Sequence, residues 1–227
     1  MASVTRKTQS SRVERRQELL EQLLGVVEGL FADGETFTEL SVERLVSEAG
    51  ISRSTFYVYF EDKGELLNAW LEQIIDEVAE STGPWYGLTA EATRDDLRVA
   101  LAQLIESYQP HTQLMAAVLD ATTYDPSVRA GVEQIMRRNV AGLRHHICAG
   151  QRDGFIDPAL PAKETAEWLT WMAERGFHQL IRTAVERELE LLTDSYTDIV
   201  WSTLYAPVLD GGEAGSVAPR KNALPRR

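Results

Sequence analysis

Ser52, Arg53, Ser54 and Thr55 follow one another in the sequence, and every one of them can donate a hydrogen bond. At the start of a helix such residues add side-chain donors to free backbone N–H groups and a positive dipole end. That combination suits an anionic partner, either phosphate or the acceptor-rich edges of bases. Tyr57 and Tyr59 follow, with hydroxyls that can reach phosphates on either side of a groove, and Lys63 adds a cation. Phe56 and Phe60, four residues apart, share the other side of the same short helix and are expected to hold it onto its domain. Upstream, Ser41 precedes VERLVSEAG, a short amphipathic run carrying Arg44. Between the two runs stand Ala49, Gly50 and Ile51: a small residue for close contact, a glycine able to take positive φ, and a plug for the angle between helices. Two short helices about such a turn form a helix-turn-helix.

Nothing comparable points to catalysis. A di-iron bundle needs paired Glu-x-x-His motifs on facing helices, and none is present. Glu174 and His178 lie four apart, a single pair that fits a polar helix face. His145 and His146 are adjacent, so on a helix they diverge by about 100° and chelate poorly together. The sequence has no nucleophile elbow, Walker loop or zinc spacing. Cys148 is the only cysteine, which excludes an intrachain disulfide and fits a small buried apolar residue. The expectation is a protein that is not an enzyme and needs no cofactor or metal.

The elements that must position these residues are helices. Leu19, Leu20, Leu23, Leu24, Val27, Leu30 and Phe31 recur at helical spacing, so a helix is expected over residues 12–32, closed by Asp33-Gly34. Asp62 with Glu65, and Thr93 with Asp96, are capping-box pairs that open further helices. STGPWYG interrupts the chain. Helices are then expected over 90–108, from Pro110 through LMAAVLDATT, over 125–152, over 162–191 and over 194–205. No stretch reads as a strand, and the expected fold class is all-α with about nine helices. The divisions are a disordered basic arm over 1–11, a helix-turn-helix domain over 12–62, a ligand-binding and dimerisation domain over 63–207, and a disordered tail over 208–227.

The chain has 227 residues, with 23 Lys and Arg against 35 Asp and Glu, a formal charge of −12. Phosphate binding needs cations, so the sum alone argues against nucleic acid. The distribution reopens the question: Arg6, Lys7, Arg12, Arg15 and Arg16 face only Glu14 in the first sixteen residues. No apolar run reaches the ~18–20 residues of a membrane span. The expectation is a soluble cytoplasmic protein with no membrane partner.

The run SVERLVSEAGISRSTFYVYFEDKGELLNAW resembles the DNA-binding signature of the TetR (tetracycline repressor-like) family. It shares the Gly-Ile turn, the small polar recognition helix, Tyr-x-Tyr-Phe, and an acidic residue and Lys ahead of Leu66-Leu67. The resemblance implies that Ser52, Arg53, Ser54 and Thr55 approach base edges or nearby phosphates. It implies that Tyr57, Tyr59 and Lys63 clamp phosphates, and that Ser41 and Arg44 touch the backbone from the preceding helix. Gly64 departs from a good helix former in the first turn, which softens the helix start.

The same resemblance implies a body that binds a small molecule and dimerises. WMAERGF is similar to the corresponding helix of the ethionamide-type repressors of this family, which hold an elongated apolar ligand. Where that branch offers amides, this chain has Thr170 and Ala173. Candidate pocket residues are Leu101, Leu104, Tyr108, Met115, Met136, Leu143, Trp168 and Trp171, with Asn139 as a polar anchor. Ala166, Leu169, Ala173, Gly176 and Leu180 form a stripe suited to a subunit interface, joined by Ile199, Trp201, Thr203, Leu204 and Tyr205. The implied function is a ligand-released repressor that binds a pseudo-palindromic double-stranded operator as a homodimer. The alternative is an α-helical protein-interaction module, or a helical-bundle metal or enzyme protein, without DNA binding. Such a module would be indifferent to salt and to loss of Tyr57 and Lys63, whereas duplex binding would not.

Overall fold

The computed structural model describes residues 3–211, apart from the side chains of residues 3–10 and of Ala32. Eleven α-helical segments account for the fold, and no strand occurs among the described residues. The all-α expectation is borne out.

The head is built from three helices and the start of a fourth. Helix α1 (Ser3–Ala32) buries Leu19, Leu20, Leu23, Val27 and Leu30, one stripe at three- and four-residue spacing. It ends at Gly34, whose φ of +88° terminates the helix where the sequence places the stop. Its start differs from expectation. The helix begins at Ser3, so most of the segment expected as a disordered arm is helical. SVTRKTQSS contains neither Gly nor Pro, and nothing in it interrupts a helix already formed downstream. Arg12 helps to anchor that end, donating from Nη2 to the carbonyl of Val58 at 3.3 Å. The expected tail lies, from residue 212 onward, outside the described residues.

Helices α2 (Val42–Glu48) and α3 (Arg53–Tyr59) are both opened by serines. Ser41 Oγ accepts from the Arg44 N–H at 3.1 Å, and Ser52 Oγ from the Thr55 N–H at 3.0 Å. Gly50 takes φ +63°, and the Ile51 N–H reaches back to the Val46 carbonyl at 3.0 Å. Gln22 of α1 donates to the Ala49 carbonyl at 2.7 Å, which fixes the turn from outside.

Helix α4 (Lys63–Glu80) belongs to both halves of the molecule. Asp62 Oδ1 accepts from the Glu65 N–H at 2.8 Å, but Glu65 reaches the N–H of Glu61, at 2.6 Å, in place of that of Asp62. Leu66, Leu67 and Trp70 are buried, and the Trp70 indole donates to the Leu20 carbonyl of α1 at 3.0 Å. Further along, Leu71, Ile75 and Val78 line a cavity in the body. Gly64 has a structural reason: a Cβ there would overlap the carboxylate of Asp125, the N-cap of α8. One turn further on, Asn68 Oδ1 occupies the place that a Cβ on Gly131 of α8 would need, 2.5 Å away. Two glycines, one on each helix, thus let α4 and α8 cross closely.

The body comprises the single turn α5 (Gly83–Tyr86), then α6 (Arg94–Tyr108), α7 (Thr112–Ala121), α8 (Pro126–Asp153), α9 (Ala162–Gln179), α10 (Glu186–Leu204) and the single turn α11 (Ala206–Leu209). Helix α6 starts at Arg94 rather than at 90, under a full capping box in which Thr93 and Asp96 exchange hydrogen bonds at 2.8 and 3.2 Å. It is tied to α10 by Arg94–Asp198 at 2.6 Å and Arg98–Asp194 at 2.5 Å.

The largest correction lies between α9 and α10. The break falls at residues 180–185 and not at 192–193. Ile181, Thr183 and Val185 are β-branched at alternate positions, which weakens the helix. Ile181 is drawn into the core, Val185 is extended, and Glu186 and Glu188 favour a new N-terminus there.

Candidate functional site

The first candidate is the outer side of the helix-turn-helix. On α3 the division is sharp: Phe56 is fully buried and Phe60 nearly so, their rings 5.5 Å apart, while Tyr57 is 47% exposed. Burying a phenylalanine of this kind contributes about 2 kcal/mol, enough to fix how the seven-residue helix is presented. Ser52 and Ser54 are exposed and Thr55 is half-buried. Their hydroxyls form one cluster, with Ser52 Oγ 2.7 Å from Ser54 Oγ and 2.8 Å from Thr55 Oγ1. Arg53 points outward, paired with Glu43 at 2.7 Å and lying 5.9 Å from the Tyr57 ring. Its pKa is raised by Tyr57 first and Glu43 second, so the guanidinium stays charged. Arg44 is held similarly, by Glu48 at 3.1 Å and Glu35 at 3.7 Å. Exposed pairs of this kind are weak and screened by salt, so phosphate can displace the carboxylates.

Two of the expected contact residues are less free than the sequence suggests. Tyr59 is half-buried and packs against the core. Lys63 is placed differently from a phosphate clamp. Its Nζ donates to the carbonyls of Phe37 at 3.0 Å, Leu40, and more distantly Thr38 at 3.5 Å, and it lies 5.1 Å from the Phe37 ring. Partial burial lowers its pKa. Lys63 therefore ties the first turn of α4 to the loop ahead of α2. Arg16, which the sequence shows only as one of the basic N-terminal cluster, lies 5.1 Å over the Phe60 ring and faces Glu65 at 3.9 Å.

The second candidate is a cavity of about 320 Å³ enclosed by helices α4 to α10. Leu104, Tyr108, Met115, Met136, Asn139 and Leu143 line it, as the sequence suggested. Leu101 does not; it is fully buried elsewhere in the core. Trp168 and Trp171 are corrections too. They are 79% and 49% exposed, on the outer side of α9. The inward stripe of that helix is Ala166, Leu169, Ala173 and Phe177, from which Trp168 and Trp171 lie on the order of 140–200° around the axis. The same stripe corrects the expected dimer surface: Ala166 and Leu169 are buried within the chain, and Ala173 lines the cavity. Trp201, Leu204 and Tyr205 are likewise internal, whereas Ile199 and Leu180 remain 46% and 52% exposed.

Missed by the sequence reading are the aromatic residues Trp85, Tyr86, Phe177 and Tyr196, together with Glu174. Burial pushes Tyr86 and Tyr108 up to about 12 and raises Tyr196 further, so all three hydroxyls stay neutral. Beside the cavity, His146 is 2.7 Å from the Tyr205 hydroxyl, which also accepts from Trp85 at 2.9 Å. Burial depresses the His146 pKa to about 4, so this imidazole is a neutral core group. Among the described residues no three of His, Cys, Asp and Glu converge as metal ligands, and no helix is long and apolar enough to cross a membrane.

Known proteins share both halves. Residues 35–70 match the family described as bacterial regulatory proteins, tetR family, and residues 97–206 match the C-terminal domain of transcriptional regulator EthR. The EthR regulator of Mycolicibacterium smegmatis is 27% identical over 177 residues, covering 74% of this chain and 80% of that protein. EthR of Mycobacterium tuberculosis is 27% identical over 154 residues, covering 67% and 71%. Among solved structures, a TetR-family regulator from Syntrophomonas wolfei superposes with a TM-score of 0.64 at 16% identity, over 83% of this chain and 95% of that one. FadR of Bacillus subtilis, solved with stearoyl-CoA, gives 0.62 at 16% identity over 82% and 99%. With a tetR-type head and an EthR-type body on one polypeptide, the chain belongs to the TetR family of DNA-binding transcriptional regulators and is not an enzyme.

Proposed function

We propose that this regulator represses transcription as a homodimer. One α3 from each protomer enters successive major grooves of a pseudo-palindromic operator, about 34–36 Å apart, and blocks RNA polymerase there. The observation that carries this reading is the two-sidedness of α3: Phe56 is sealed in the core while Arg53, Ser54 and Tyr57 are left bare. Arg53, Ser54 and Thr55 approach base edges, and Tyr57 and Tyr59 approach phosphates. Ser41, Arg44 and Ser52 contact the backbone at the helix starts. Lys63 acts indirectly, by fixing α4 against the loop that carries α2.

The dimer surface in this reading is the outer side of α8 and α9. Trp168 and Trp171 there border a groove with Val140, Ala141 and Arg144. Two indoles this exposed are unusual on a free surface, and a second copy of the same face covers them isologously. An effector in the cavity presses on α4 and α8 together, and releases DNA by favouring a dimer whose two α3 helices are misplaced. Its differential affinity for the two states is the entire driving force.

The test is selection of genomic fragments on the purified protein, followed by anisotropy titration of the enriched duplex. Affinity falls steeply with salt, and Tyr57→Ala or Arg53→Ala weakens it by about 10–100-fold. Trp168→Glu with Trp171→Glu yields a monomer by light scattering. No enriched sequence, or full affinity in Tyr57→Ala, overturns the reading.

A further inference from the structure

We propose that the cavity selects an effector with a protonated amine head on an apolar body, with Glu174 as its counter-ion. This rests on reading the cavity as the effector site.

Glu174 lies on the side of α9 that also sends Thr170, Ala173 and Phe177 into the cavity, and its side chain is only 16% exposed. A carboxylate withdrawn from water calls for a cation or several donors. Among the described residues only one cation comes within ion-pair range, and it is poorly placed. No hydrogen-bond donor reaches it, and Arg175 approaches only to 4.0 Å from a side chain that is 67% exposed. Arg138, the other charged lining residue, is engaged with Asp76 at 3.2 Å. Arg182 is exposed and makes no ion pair with Glu174, and His178 is driven toward its neutral form by burial and then by Arg182. The cavity therefore presents a carboxylate whose cationic neighbours, Arg175 and Arg182, are both exposed and hold it only weakly.

The rings around it agree. Tyr108 and Phe177 have centroids 5.1 Å apart, and Phe177 and Tyr196 6.0 Å. All three line the cavity with Glu174, and aromatic faces attract an ammonium group while disfavouring an anion. The Glu174 charge is felt at Tyr108, with that of exposed Arg182 opposing it, which places carboxylate and ring at the same end of the cavity. Asn139 and Thr170 provide acceptors for the remaining N–H bonds of a primary ammonium. The rest of the lining, with Leu71, Ile75, Met115, Leu119 and Val132, suits an alkyl or aryl body.

Calorimetry with three probes of one chain length, decylamine, 1-decanol and decanoate, tests this at neutral pH on the full chain. Decylamine binds at least tenfold tighter than decanol, and decanoate is weakest. Glu174→Gln weakens decylamine at least tenfold and leaves decanol within twofold. Ala173→Phe, which fills the cavity, abolishes binding of all three. If decanol or decanoate matches decylamine and Ala173→Phe blocks them, the effector site stands and the amine inference falls. If Glu174→Gln leaves the amine preference intact, it falls equally. If none of the probes binds the unmodified protein, the reading of the cavity as an effector site falls with it.

Discussion

The head and the body of this regulator solve opposite problems. In the head, a few fully buried side chains such as Phe56, Phe60 and Leu45 hold a polar outer side that the protein itself leaves uncovered. In the body, longer helices surround an interior that is not filled, with tyrosines, Glu174 and Asn139 turned inward. The head is thus a small core serving a surface, and the body a large shell serving a hole. The contrast teaches where substitutions are tolerated. A head residue is committed either to packing or to DNA, whereas a body residue can drift as long as the cavity keeps its walls.

The strongest way to break the contrast is Phe56→Ala. Truncating a fully buried ring costs about 3–5 kcal/mol. Because the head core is small, that loss is expected to unfold it ahead of the body, splitting one urea transition into two by circular dichroism. A single shifted transition would show that head and body fold as one unit.

The second concerns the body alone. His146 is buried with its pKa depressed to about 4 from an ordinary 6.5, so the unfolded chain takes up its proton first as pH falls. Its contribution is complete above about pH 6.5 and is lost progressively down to about pH 4, on the order of 3 kcal/mol. His146→Phe flattens that part of the pH profile of the urea midpoint while leaving operator binding at neutral pH intact. An unchanged slope would place the acid sensitivity elsewhere.

The smallest effect sharpens the picture of the head. Glu43→Gln frees Arg53 from its 2.7 Å partner, and operator affinity rises about two-fold in low-salt titrations. A weaker complex would mean that Glu43 helps to aim the guanidinium.

The same contrast governs how much the sequence discloses. Ser41, Gly50, Ser52 and the Phe56/Phe60 pair act within a few residues of themselves, so type and spacing suffice to place them. Lys63 does not: its carbonyl partners lie 23 to 26 residues earlier, and a flexible stem reads the same whether it reaches outward or folds back. In the body, helical phase identifies Leu104, Tyr108, Met136 and Leu143 as inward but cannot tell a cavity wall from ordinary core, which is why Leu101 looked equivalent. Trp168 and Trp171 misled because large aromatic residues suggest an interior, and only the phase of Ala166 and Leu169 puts them outside. Glu174 reads in the sequence only as half of a pair with His178, since nothing local says that a carboxylate looks into a hole.

The tight crossing of α4 with α8 bears on how such proteins diversify. Gly64 falls in the tetR-type stretch, residues 35–70, and Asp125 in the EthR-type body, yet a side chain at Gly64 would meet the Asp125 carboxylate. Exchanging reading heads between relatives at residue 70, where the tetR-type stretch ends, would set a foreign α4 start against that aspartate. Working chimeras are then expected to carry α4 along with the body, leaving only its capping aspartate to travel with the head.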